Sequence, residues 1–315
     1  MRRLLFCILV LAFCQSARAA LLPPEFTKSV VAIGFIQTTV DPGKPSTSRW
    51  VTIGTGFLYG FLFKDDPEPK NRLYQVYLVT AKHVIIEHLA AKRDLQIRVN
   101  PKDETARGTE FTIPTEPPPP SARWFVNPDG SDIAIVQINF NLLKEGNYDA
   151  FFLQGDTHAA PISKMKEIGS SAGDGVFVVG FPLNLAGIER NYVIVRQGII
   201  ARLEELFNKA SRTFLIDSFA FPGNSGGPVF IKPELTSIQG TKANHNCYLI
   251  GLVVGYKPYD EVAISTQTKQ PRIIFQENSG LADTLPVDVI DDTIKAYMQA
   301  FPTIQPPSPD PSPNR

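Results

Sequence analysis

The chain has 315 residues, of which 43% are hydrophobic and 20% charged, and its formal net charge is zero. This is ordinary globular composition, long enough for one large domain or two small ones. No basic excess favours a nucleic-acid partner and no acidic block marks a solvating arm, while 22 glycines and 27 prolines suit many short strands joined by turns.

The first segment, "MRRLLFCILVLAFCQSARAA", runs from two arginines through an apolar stretch to Ala17-Arg18-Ala19. That order reads as a secretory leader over 1–19, cleaved near Ala19–Ala20, and its apolar part is too short to span a membrane. No later segment is long and apolar enough to cross a bilayer. The mature chain then keeps one cysteine, Cys247, so it forms no internal disulfide and relies on core burial.

Strand-like runs follow in succession: "SVVAIGFIQ", "TIGTGFLYGFLF", "LYQVYLVT", "LQIRV" and "IAIVQI". They are β-branched or aromatic and bounded by polar turns. "KDDPEPKNR" (64–72) reads as a hairpin loop. "EPPPP" (116–120) reads as an exposed connector, because proline lacks the ladder donor. After a polar stretch over 141–165 come "GVFVVGFP", "YVIVRQGIIARL", "TFLIDS", "GPVFI", "YLIGLVVGY" and "RIIF". Two strand-rich halves predict two packed β-units. From Val287, apolar residues at 287, 290, 294 and 298 with early acids predict a helix over 287–300, with Pro286 suited to its first turn. The proline-rich remainder, 302–315, is expected to be disordered.

The densest turn chemistry surrounds one serine: "FAFPGNSGGPVFI" (219–231). Glycine-rich backbone can turn sharply and present bare N–H groups to an oxygen that becomes negative. A serine nucleophile also needs a base. By itself the stretch fits a nucleophile turn and a structural β-turn equally. Of the four histidines, His83 in "YLVTAKHVI" stands where an apolar strand ends, a position suited to general-base work or to pairing with backbone. His88 falls on the helix-like "HVIIEHLAA", and His158 and His245 fall in polar loops. Asp132 in "GSDIAIVQI" opens an apolar strand, so its carboxylate needs a partner. A histidine ring nitrogen is one such partner. Asp129, in the turn "NPDGS", is the rival. His245 and Cys247 in "HNC" are two ligand types in a loop, too few for a metal site, and no cofactor is implied.

"TAKHV", "DIAIV" and "GNSGGPV", in that order, resemble the trypsin/chymotrypsin-like serine peptidases. "GTGFLYG" and "GLVVGY" strengthen the resemblance, which covers about 30–300. It implies an all-β fold of two packed six-stranded barrels, about 27–140 and 166–285, and a closing helix over 287–300, all within one peptidase domain over 20–301. It implies Ser225 as nucleophile, His83 as base, Asp132 as the residue that orients His83, and the backbone N–H groups of Gly223 and Ser225 as oxyanion hole. Gly226 and Gly227 would let the loop leave as a strand. Asn224 stands where digestive members carry aspartate. Together with the lack of disulfides, this looks more like the bacterial Deg-type peptidases, without their PDZ module. The resemblance places the substrate pocket at Phe219, Ala220, Phe221 and Pro222 and at Val254, Gly255 and Tyr256, with walls running from Phe219 to Pro222 and from Leu252 to Tyr256. Phe219 stands where trypsin-type enzymes place an acid, which implies an apolar or small P1 residue. The partners implied are protein or peptide substrates met in the periplasm or outside the cell. A catalytically silent relative acting as a binding module is the alternative. The sequence carries no signal for an oligomeric state.

Overall fold

The computed structural model describes residues 21–40, 42–117, 123–234 and 241–302, together with the backbone of 310–311. The expected leader, prolines 118–120 and nearly all of the tail lie outside the described residues.

The first half carries β1 (Val30–Thr39), β2 (Thr47–Lys64), β3 (Leu73–Thr80), helix α1 (Lys82–Ala90), β4 (Leu95–Val99), β5 (Thr109–Ile113), β6 (Phe125–Val126), β7 (Ala134–Gln137) and β8 (Leu153–Gln154). The second carries β9 (Gly175–Gly180), β10 (Ile194–Arg202), β11 (Phe214–Asp217), β12 (Pro228–Ile231), β13 (Tyr248–Ile264), β14 (Pro271–Pro286) and helix α2 (Asp288–Ala300). A two-residue strand, β15 (Asp310–Pro311), pairs with the start of β3. Most expected runs are found within a residue or two. β2 starts five residues before "TIGTGFLYGFLF", β13 runs eight residues past "YLIGLVVGY" and β14 runs eleven past "RIIF".

β9–β14 close into a six-stranded barrel in the order β10-β11-β14-β13-β12-β9. The other half builds a sheet that does not close, which is consistent with the expected two-barrel fold. Its ladder runs β5-β4-β1-β2-β3-β7-β6 without closing, with β8 alongside β2. The ends explain this. β6 has two residues and follows the proline run, and β5 pairs as a strand only with β4 among the described residues. Prolines offer no N–H with which a connector could complete the ladder.

Each half buries its own apolar set: Val31, Leu58, Leu78 and Ile97 in the first, Val178, Ile216, Val229 and Ile250 inside the barrel. A third core joins the halves, with Phe57, Tyr59 and Val79 meeting Val179, Phe181, Phe230 and Leu252. Burying each such aromatic contributes about 2–3 kcal/mol. Helix α2 seals this junction through Ile290, Ile294 and Tyr297, and Asn127 Nδ2 donates to its Thr293 Oγ1 at 2.7 Å. Pro286, expected in the first turn of the helix, instead ends β14 opposite Gly251, and Val287 takes the cap position.

The same junction contains a buried acid. Tyr59 donates to Asp291 Oδ1 at 2.8 Å. Burial pushes the Asp291 pKa up, although the Tyr59 hydrogen bond acts against it. A carboxyl whose pKa is raised on folding loses stability as pH rises from the unfolded value, near 3.9, through the folded one. Tyr59→Phe removes the donor and raises that pKa further. The substitution is expected to cost about 1–3 kcal/mol at neutral pH and less near pH 4. Urea denaturation at both pH values checks this, and an equal cost at both would contradict it.

Candidate active site

Pro222 to Gly227 join β11 to β12 in a turn that glycine alone permits. Gly223 and Gly226 have φ of +95° and +82°, a region costly for any residue with a Cβ. Asn224 closes the turn on itself: its N–H donates to Phe221 O at 2.9 Å, and its side-chain Oδ1 accepts from Phe221 N at 3.0 Å. Asn224 is fully buried, and at the position that holds aspartate in digestive enzymes its Oδ1 is held within its own turn, while its Nδ2 has no partner among the described residues. Among the described residues, the N–H groups of Gly223 and Ser225 donate to no protein acceptor, which leaves both free for a ligand oxygen.

Thr55 of β2 holds this turn against the first half. Its N–H donates to Ser225 O at 3.1 Å and its hydroxyl to Gly223 O at 2.6 Å, while the same hydroxyl accepts from Phe181 N at 3.0 Å. Thr80, at the end of β3, donates its hydroxyl to Thr55 O at 2.8 Å. The carbonyls of Ser225 and Gly223 are therefore tied to the strand pair that ends just before His83. Thr55 was not singled out from sequence. Its signal was the small polar residue in "GTGF", which a solvent-facing strand threonine would give equally.

His83 sits in the first turn of α1, where the backbone turns out of β3. Its Nδ1 lies 2.6 Å from Asp132 Oδ2, and its backbone N–H donates to Asp132 Oδ1 at 2.9 Å. Both carboxylate oxygens of Asp132 are thus engaged by one residue, which fixes the ring's orientation. Burial acts to raise the Asp132 pKa, but the His83 hydrogen bonds and the nearby positive charge of Lys82 outweigh it and hold the carboxyl below its usual value. The rival Asp129 is spent elsewhere, accepting from Ser131 N at 2.8 Å and pairing with Arg212 at 3.0 Å.

His83 and Ser225 share the walls of two adjoining cavities. The larger, about 430 Å³, is lined by His83, Ser225, Ala220, Phe221 and Pro222 on one side and by Val253 to Tyr256 and Pro258 on the other. Six of the seven residues expected at the substrate pocket are therefore there. Phe219 is the correction. It is 48% exposed and stacks on Phe221 with ring centroids 6.2 Å apart, so it borders the cavity without entering it. Val253 lines it as the expected wall from Leu252 to Tyr256 implies, while Leu252 itself is buried in the core between the halves. Pro258 was missed, since wall membership depends on where β13 leaves the barrel. No acidic side chain lines this cavity. The smaller, about 250 Å³, is lined by Ile53, His83, Val84, Glu87, His88, Pro222, Gly223 and Ser225.

The other histidines are placed differently. His88 reaches the second cavity but not Asp132, and burial beside Arg93 lowers its pKa. His158 accepts from Gln154 N at 3.0 Å between Phe26 and Phe151. Burial pushes the Cys247 thiol up to about 12, which makes it a poor nucleophile. Among the described residues no group of three or more His, Cys, Asp or Glu could hold a metal ion, and no helix is long and apolar enough to cross a membrane.

No curated protein matches the chain. The family model described as the trypsin-like peptidase domain matches residues 54–233. The match runs from the strand that carries Thr55 through His83 and Asp132 to just past β12, and it spans more than half of the chain. On that match, and on a β-fold whose second half is a closed six-stranded barrel, the chain belongs to the trypsin-like peptidase family.

Proposed function

We propose that the protein is an exported serine endopeptidase that works through an acyl-enzyme. The observation that carries this reading is the His83–Asp132 pair at 2.6 Å, whose imidazole shares a cavity wall with Ser225. Ser225 Oγ attacks the substrate carbonyl carbon while His83 Nε2 takes the hydroxyl proton. The new oxyanion accepts from the N–H groups of Gly223 and Ser225. His83 then gives its proton to the leaving amine as the C–N bond breaks. Water repeats the sequence against the acyl ester and frees Ser225. Asp132 keeps the proton of neutral His83 on Nδ1, so that Nε2 is the free base. The self-closed Asn224 turn supports a site that needs no newly cut N-terminus to order it.

The 1–19 leader supports export, with 20–301 as the peptidase domain. The acid-free cavity supports an apolar or small P1 residue. An arginine there would be desolvated without a countercharge, a cost of several kcal/mol. Peptides with leucine, phenylalanine or alanine at P1 are expected to exceed their arginine counterparts in kcat/KM by about 10²-fold or more. A panel preferring arginine would overturn this pocket assignment.

A fluorophosphonate probe tests the reading as a whole. It should label the wild type, leave Ser225→Ala unlabelled and label His83→Ala far more slowly. A folded wild-type protein that takes no label would favour the silent binding module, and unchanged labelling of His83→Ala would show that another group is the base.

A further inference from the structure

β13 and β14 remain paired well beyond the barrel. β12 leaves β13 at Leu252, and β11 leaves β14 at Leu281. Past those points Pro258–Ile264 and Pro271–Asn278 pair as strands only with each other among the described residues. Every residue from Tyr256 to Glu277 is exposed except the half-buried Ser265. The result is a two-stranded arm, about 25 Å long at 3.4 Å per residue, that is solvated on both faces.

Such an arm lacks what normally keeps a hairpin ordered. Two strands with no third strand and no packed face are marginal in water. This one also exposes Tyr259, Val262, Ile264, Ile273, Ile274 and Phe275, each 46–62% accessible. Half-exposed side chains of that size present on the order of 500 Å² of apolar surface. With the arm's polar surface added, that approaches the ~800 Å² per partner of a standard interface. The outer edge of β14 from Arg272 to Asn278 contains no proline, so it offers an unbroken row of hydrogen-bonding groups. The β13 edge is interrupted by Pro258.

The charges on the arm indicate its partner. The tip is basic, with Lys269 and Arg272. The root half carries the acids Asp260, Glu261 and Glu277, and the one lysine there, Lys257, is paired with Asp283 at 2.7 Å. Two arms crossing antiparallel about a two-fold axis set each basic tip against the other's acidic root, and a tip-to-tip arrangement would set like charges together. We propose that the arm is a dimerisation element, in which a second copy of this chain adds its β14 edge antiparallel to the first and builds a four-stranded sheet from two marginal hairpins. The seam lies beside the cavity. Tyr256 and Pro258 at the root line that cavity, and Asn278 Nδ2 donates to Ala220 O at 2.6 Å across from them.

Sedimentation velocity on the full chain carrying Ser225→Ala, from about 1 to 100 μM, tests the proposal. A dimer with Kd in the micromolar range or tighter is expected. Ile274→Lys, which lies outside every core, should weaken it at least tenfold with an unchanged melting temperature of the remaining monomer. Arg272→Glu should weaken it as well, and Arg272→Glu combined with Glu277→Arg, both on the β14 edge, should recover the loss, which a purely hydrophobic contact would not do. A monomer at 100 μM, or a dimer indifferent to Ile274→Lys, overturns the proposal. So does a monomer in which Ile274→Lys, placed in the active enzyme, raises KM for a protein substrate, since the arm would then serve the substrate.

Discussion

Replacing Asp132 with asparagine is expected to lower kcat by about 10⁴-fold at neutral pH with little change in KM. The fold should tolerate the substitution, since the asparagine oxygen can still accept from His83 N, as Oδ1 does now at 2.9 Å. The loss arises at the ring. The side-chain NH₂ would replace Oδ2, which now lies 2.6 Å from His83 Nδ1. An amide donor there requires Nδ1 to accept, so the imidazole proton moves to Nε2 and the ring can no longer take the proton of Ser225. Asp132 itself should impose no limit on activity between pH 5 and 8. Its pKa is lowered on folding, so its ionised form contributes stability above the unfolded value, near 3.9, and that contribution is lost only as pH falls through the lower folded value. Steady-state kinetics with an apolar-P1 ester, beside thermal denaturation of the same variant, measure both halves of the expectation. A variant within tenfold of wild-type kcat would remove Asp132 from the mechanism.

Gly226→Ala is expected to cost about 3 kcal/mol or more and to abolish turnover. Two effects add. Its φ of +82° strains any residue with a Cβ, by about 1–3 kcal/mol. In addition, the new Cβ would stand 2.2 Å from Thr55 O, 2.3 Å from Thr80 Oγ1 and 2.9 Å from Ala81 N. Two of these are backbone atoms, and the third is a hydroxyl already donating to Thr55 O, so none can swing aside. Relief requires the Ser225 turn to move away from the strand that leads into His83. Gly173→Ala provides the comparison. Its φ is +100°, but nothing lies within 4 Å of its Cβ position, so it should show the conformational strain alone. The difference between the two in urea denaturation isolates the contact between the halves. Equal costs would mean that the close approach at Gly226 is relaxed in solution.

The residues that perform the proposed chemistry were legible because that chemistry restricts residue type. A nucleophile, a base and an acid must be serine, histidine and aspartate here, and the backbone around the nucleophile must turn where only glycine fits. The strand runs were legible for a related reason, since burial on a pleated surface selects β-branched and aromatic residues. Choosing between Asp129 and Asp132 was a weaker inference, based on the cost of opening an apolar strand with an unpaired carboxylate, and the structure pairs Asp132 with His83.

The sequence by itself therefore determined the strand-rich class and the triad candidates, because each depends on local residue chemistry, and its three motifs in order carried the resemblance to the family and its two-barrel architecture. Only the tertiary structure decided which surfaces meet. It turned Phe219 outward, brought in Pro258, made Thr55 the tie between the halves and left the first sheet open. It also continued β13 and β14 into a solvated arm that "KPYDEVAISTQTKQPRIIF" did not announce. That arm has no buried face, so no alternation of apolar and polar residues was written into it, and contacts between residues more than a hundred positions apart leave no period to read.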